Sequence, residues 1–325
     1  MLSAESKSLS AIYKPQNLLS LTATPPEGAS FILNPASPDG FYDAGSLVSV
    51  AARPAAGFRI AAWGGDLSGA SASAALTLDS PRSALLSLDR VPAVTPFGVR
   101  NAALGASAES VAPGSLISIF GASLAPTLEI GPSSPLAQTL AGVTVRADDT
   151  FLPLVFVSSS QINAQFPSAM AEGPHKITVR WEGKPETSTD ILVARNSPGL
   201  FGANPPEQPV GSFVRASGQA VTIDNPARAG EILSVMGTGF GPYVVQPPDG
   251  FLFDETAGYT LKDGVSIIVN GLTIDALYAG RSGAGVGVDV VRFRVPANLP
   301  DSPLLPVKIR VNGQESNIVL LPVSR

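Results

Sequence analysis

Apolar residues recur at every second position in short runs along this chain. In "HKITVRWEG", Ile177, Val179 and Trp181 share one face while Thr178, Arg180 and Glu182 share the other. "PVKIRVNG" repeats the arrangement, with Val307, Ile309 and Val311 opposing Lys308, Arg310 and Asn312. Ile162, Ala164 and Phe166 oppose Asn163 and Gln165, and Val291, Phe293 and Val295 oppose Arg292 and Arg294. A period of two is the signature of a half-buried strand. A slip of one residue would bury the arginines, so the register is tightly specified. Sheets with one dry face need a second sheet over it, which predicts β-sandwiches.

The pattern is used twice. "APGSLISIFGASLAP" (112–126) returns 116 positions later as "RAGEILSVMGTGFGP" (228–242). "AGVTVRAD" (141–148) is answered by "DGVSIIVN" (263–270), "INAQFP" (162–167) by "VRFRVP" (291–296), and "HKITVRWEG" (175–183) by "PVKIRVNG" (306–313). The offset grows to 130 by the end, which places the insertions between strands. Ile117, Ile119, Leu233 and Val235 are expected to face cores, with Ser118 and Ser234 outward. Leu116, Phe120, Ile232 and Met236 are apolar on that outward side, which predicts cover from an adjoining domain or loop.

Before the repeat, "LSLTATP", "SLVSVAARP", "GFRIAAWGGD", "AALTLDS" and "ALLSLDR" follow one another at strand-and-turn spacing. The expectation is an all-β chain of three tandem small antiparallel domains. A flexible lead-in covers 1–16, a β-domain 17–91, a stiff prolyl linker 92–96 within "VPAVTP", and two sandwiches related by duplication 97–200 and 201–325. Strict alternation sets Trp63 opposite Phe58, Ile60 and Ala62, and structural packing is the role expected of it.

Composition sharpens this reading. Gly and Pro number 32 and 30, and charged residues reach only 14%, against about 25% in typical soluble domains. That balance suits short strands and many turns. The net charge is −5 and the 21 basic residues are scattered, so no nucleic-acid partner is indicated. The absence of cysteine removes disulfides, thiolate metal sites and a cysteine nucleophile. No stretch approaches the ~18 apolar residues of a membrane span, and the opening lacks the basic-then-apolar layout of a signal peptide.

Candidate chemistry is sparse. "GTGFG" (237–241) runs into Pro242 and "GAGVG" (283–287) into a strand, so neither has the strand-loop-helix context of a nucleotide loop. His175 is the only histidine; it reads as a solvated turn residue with no local acid partner. "ADDT" (147–150) reads as a hairpin turn, and Asp66 in "WGGDLSG" as another. No calcium loop or histidine cluster is present, and no catalytic residue, metal or cofactor is implied.

The segment that could hold a ligand is "PYVVQPPDGFLFDETAGY" (242–259), with Tyr243, Phe251, Phe253 and Tyr259 beside Asp249, Asp254 and Glu255. Aromatic faces and carboxylates are what a polysaccharide site would use. The alternative is that these aromatics pack the loop onto its own domain or a neighbour.

Taken together, "APGSLISIFGASLAP", "LAGVTV", "FVSSSQINAQFP", "NSPGLF", "RAGEILSVMGTGFGP", "YAG" and "VP" resemble an uncharacterised C-terminal domain of exported acidobacterial proteins over about 97–325. Each half is also similar to the immunoglobulin-like IPT/TIG domain. "YDAGSLVSVAARPAAGFRIAAWGGDLSG" (42–69) resembles the divergent internalin B-type repeat. These resemblances imply Ig-like sandwiches, a secreted or cell-surface setting, and a non-catalytic module. They imply no known ligand; the partner expected of the 242–259 loop is a polysaccharide, or another surface protein.

Overall fold

The computed structural model describes residues 13–103, 110–203, 210–253, 255–298 and 303–324. They form an all-β chain of tandem sandwiches with two short 3-10 turns. The chain divides into two compact units, Met1–Val91 and Pro92–Arg325.

The first unit contains β1 (Gln16–Thr24), β2 (Ala29–Asn34), β3 (Phe41–Asp43), β4 (Ser46–Pro54), β5 (Phe58–Gly65), β6 (Ser73–Leu78) and β7 (Arg82–Arg90). One sheet runs β3-β1-β7-β5 and the other β2-β4-β6. Leu19, Val48, Val50, Leu78 and Leu86 fill the core. β1 lies parallel to β7, a pairing that a tight hairpin cannot make. Trp63 is 5% exposed and belongs to this core. The alternation that set it opposite Phe58 and Ile60 fails because the β5–β7 register shifts between Ile60 and Ala62. One inserted residue turns every later side chain to the other face. The buried indole then donates from Nε1 to the carbonyl of Ser71 at 2.8 Å and lies 5.9 Å from the Phe31 ring.

In the second unit, the middle sandwich comprises β8 (Ala93–Asn101), β9 (Leu116–Ala122), β10 (Glu129–Ile130), β11 (Val143–Ala147), β12 (Thr150–Phe151), β13 (Leu154–Val157), β14 (Gln161–Gln165), β15 (Gly173–Trp181) and β16 (Thr187–Val193). The last sandwich opens with β17 (Gly199–Leu200), β18 (Gly202–Ala203), β19 (Val210–Gly211), β20 (Phe213–Arg215), β21 (Ala227–Arg228) and β22 (Ile232–Thr238). It continues with β23 (Val265–Val269), β24 (Leu272–Asp275), β25 (Tyr278–Arg281), β26 (Asp289–Arg294), β27 (Leu304–Val311), β28 (Gln314–Glu315) and β29 (Val319–Ser324).

The sequence repeat is a repeat of topology. The order β13-β14-β9 in the middle sandwich corresponds to β25-β26-β22 in the last, and β12-β11-β15-β16 to β24-β23-β27-β29. Ile117 faces Ala164 and Ile119 faces Ile162; Leu233 faces Phe293 and Val235 faces Val291 in matching registers. Each sandwich has its own core, around Ile117, Ile162, Phe166 and Val179 in one, and Leu233, Phe293, Val307 and Ile309 in the other.

Two local readings change. Residues 93 and 94, inside the stretch read as a linker, pair with Ala122 and Gly121. The pairing resumes at Val99 after a register shift that holds Phe97 at φ 56°. Pro92 and Pro96 flank the paired residues, so neither proline withholds an N–H the ladder needs there. Ser118 and Ser234, read as outward, are buried. The turn ending at Gly287 lies against Leu116, and Ser282 Oγ sits 3.4 Å from Met236 Sδ, while Phe120 remains 37% exposed.

Candidate functional site

The 242–259 segment is a compact loop with a closed base. Lys262 N donates to Pro242 O at 2.8 Å and Val244 N to Thr260 O at 2.9 Å. Between these ties it crosses to the middle sandwich. Asp249 accepts from the Ser168 amide at 3.1 Å, from the Ser168 hydroxyl, and from Gln165 Nε2 at 3.2 Å. Gly250 N donates to Gln165 Oε1 at 2.6 Å, Leu136 N to Gly250 O at 2.8 Å, and Leu252 N to Ser134 Oγ at 3.0 Å. The loop is thus a strap that fastens the last sandwich to the middle one.

The candidate residues separate into two groups. Tyr243 is buried, with its hydroxyl on Asp289 and its ring 4.6 Å from the Arg281 guanidinium. Burial pushes the Tyr243 hydroxyl well above its ordinary range. Asp249 is committed to Ser168 and Gln165. Phe251, Phe253 and Tyr259 form a row with ring centroids 6.4 and 4.7 Å apart. Tyr259 packs on the core, Phe253 is half-buried and Phe251 is 47% exposed. Asp254 lies outside the described residues.

Beneath the strap is a polar joint that the alternation does not reveal. Arg281 and Asp289, 3% and 1% exposed, pair at 3.3 Å, and Arg281 Nη2 donates to Gly114 O at 2.9 Å. Burial raises Asp289, opposed by the charge of Arg281 and the Tyr243 hydrogen bond. Thr238 Oγ1 accepts from Leu116 N and donates to Gly287 O, both at 2.8 Å. Asn101 Nδ2 donates to Ser197 O at 2.7 Å, and Asn196 Nδ2 to Phe240 O at 2.7 Å. Arg195 holds Asp263 through two bonds of 2.9 and 2.8 Å. The glycines of "GTGFG" serve this joint: a side chain at Gly241 would fall 2.0 Å from Asn196 Nδ2. They let the connector pass close to Ser197 and Asn196.

His175 is a strand residue, not a solvated turn residue, and it has an acid partner. Nδ1 lies 2.7 Å from Asp148 Oδ2 and Nε2 lies 2.9 Å from Ala171 O. Asp148 occupies the tip of the "ADDT" hairpin and also accepts from Lys176 N at 3.0 Å. Its carboxyl is held below the ordinary value, first by the His175 hydrogen bond. The sequence misses this pair because it brings residues together across neighbouring strands. Both ring nitrogens are engaged, which leaves neither to activate a nucleophile. Among the described residues no three histidine, aspartate or glutamate side chains gather as a metal site. No helix among them is long and apolar enough to cross a membrane.

In the first unit Asp66 closes its turn by accepting from Ser83 N at 2.7 Å and from Arg82 Nη1 at 3.0 Å, just after the buried Trp63. Residues 35–84 match the divergent InlB B-repeat domain. The matched residues take in β3, β4, β5 and β6 and include both Trp63 and Asp66. Among solved structures the chain is similar to SGBP-B of the Bacteroides ovatus mixed-linkage glucan utilization locus, solved in complex with a mixed-linkage heptasaccharide. Identity is 10% over 98% of this chain and 70% of that one, with a TM-score of 0.31. It is also similar to tandem Ig repeats of Dlar, at 10% identity, 72% and 97% coverage and a TM-score of 0.20. Domains 5–6 of the S-layer protein SbsC give 14% identity, 71% and 98% coverage and a TM-score of 0.22. No curated protein matches the chain.

Proposed function

We propose that this chain is a non-catalytic structural module of a secreted or cell-surface protein, spacing or displaying what it is joined to. The observation that carries the reading is the joint. Arg281, Asp289 and Tyr243 are buried where the last sandwich meets Gly114 of the middle one, and the strap adds a second set of bonds. A buried ion pair needs fixed partners, because an unpaired buried charge is costly. The two sandwiches are therefore held together as one element, as a spacer requires. Spin labels placed on β16 and β29 of the full chain test this. A single narrow distance distribution is expected, and a broad or multimodal one would overturn the spacer reading.

A second reading, saccharide binding by the strap, is supported by Phe251. It stays 47% exposed on a segment otherwise anchored to protein, and exposed anchored aromatics are what a sugar face stacks on. A glycan array probed with the full chain tests it, with a blank array as the contrary result.

A further inference from the structure

We infer that the strap carries a composite platform for a neutral glycan, made of Phe251, Phe253 and Tyr259 together with Glu255 and Arg292. This rests on the saccharide reading above and differs from the site legible in the sequence, since Tyr243 and Asp249 are excluded. Their polar atoms are already taken by Asp289, Ser168 and Gln165.

The rings run from core to water. Tyr259 is anchored in the core, Phe253 lies 4.7 Å beyond it and Phe251 a further 6.4 Å out, at the exposed end. Two positions after Phe253 in the chain, Glu255 on the 3-10 turn Glu255–Ala257 is paired with Arg292 on β26. The Arg292 guanidinium also lies 5.7 Å from the centre of the Tyr278 ring. Both members of the pair remain about one-third exposed, at 32% and 36%. Guanidinium offers five N–H donors and carboxylate about four acceptor sites, so each keeps capacity after pairing.

Apolar faces beside planar donors and acceptors match a sugar ring, which has an apolar C–H face and a hydroxyl rim. Charge selects the class of glycan. The only basic group on the platform is neutralised by Glu255, so a polyanionic chain would find no net positive site. Anchoring through Gly250 and Leu252 fixes the strap before binding, which reduces the ordering cost.

The test is affinity electrophoresis of the full chain through gels containing neutral polymers (mixed-linkage β-glucan, xylan, mannan) or acidic polygalacturonate. At least one neutral polymer is expected to retard the protein, and polygalacturonate is not. Phe251→Ala and Arg292→Gln should each weaken that retardation about fivefold, the scale of one aromatic or planar contact. Phe97→Ala removes an aromatic that is 82% exposed elsewhere and should change nothing. Circular dichroism confirms that each variant is folded. Retardation by no polymer overturns the saccharide reading itself. Neutral-polymer binding that survives both Phe251→Ala and Arg292→Gln, or binding to polygalacturonate alone, overturns the platform and leaves saccharide binding standing.

Discussion

Arg281 and Gly114, 167 residues apart, meet through a 2.9 Å hydrogen bond from the guanidinium Nη2 to the glycine carbonyl. Gly114 is the third residue of the repeated opening motif, and Gly230 is its counterpart. Both adopt φ 76°. Their surroundings differ: a β-carbon at Gly114 would lie 2.8 Å from Arg281 Nη2 and 3.2 Å from Ser168 Cβ, while one at Gly230 would meet nothing within 4 Å. The motif is shared, but only its first copy sets this glycine against the joint.

That contrast predicts unequal effects of one substitution. Gly230→Ala should lose about 1–2 kcal/mol from left-handed strain alone. Gly114→Ala carries the same strain and also displaces Arg281, so it should lose more and should raise hydrogen exchange around β25. Chemical denaturation of both variants checks this. Equal losses would show that Arg281 moves aside without cost.

The ion pair makes a second prediction. Asp289→Asn or Arg281→Met each leaves a buried polar partner, since both side chains are almost wholly enclosed. Each should cost about 3–5 kcal/mol. The double variant should cost less than the two single losses added together, because neither charge is then stranded. A double-mutant cycle on unfolding free energies reads the coupling directly.

Acid should loosen the joint at its outer edge. The Arg195 guanidinium holds Asp263 below its ordinary value of 3.8. A carboxyl whose folded value is lowered contributes stability that is present above its unfolded value and lost as pH falls through the folded one. Stability should therefore decline as pH drops below 3.8. Asp263→Asn should flatten that part of the profile while leaving the profile above pH 5 parallel. Urea titrations across an acid pH series measure it.

The strands were legible because alternation is local, and the duplication because the alternation repeats in order. The joint was not. Arg281 sits at the end of "YAGR" and Asp289 opens "DVVRFR", and the pairing of these two strands sets them opposite each other. The available signal is a charge at the start of the run Val290, Val291 and Phe293, all of which are buried. A strand buried on both faces tolerates a charge only beside a partner. Packing was the role expected of Trp63, but its face escaped for a different reason: a bulge changes the period without changing composition. In the strap the sequence shows which side chains are present, but the split between anchors and surface depends on Gln165 and Ser168 of another sandwich.

Anchoring and surface roles in the strap separate by mutation. Asp249 accepts three bonds from Ser168 and Gln165, one of them from a buried hydroxyl. Asp249→Ala leaves those donors without their charged acceptor, and hydrogen bonds to a charged group contribute about 1.5–3 kcal/mol. The loss falls on the strap, because its base remains closed through Pro242–Lys262 and Val244–Thr260. Hydrogen exchange should accelerate at Gly250 and Leu252, whose amides rely on the docked position. Phe251→Ala removes a half-exposed ring and none of these bonds, so it should shift stability by less than about 0.5 kcal/mol and leave those amides protected. Comparable exchange in both variants would mean that the ring, and not the carboxylate, holds the strap down.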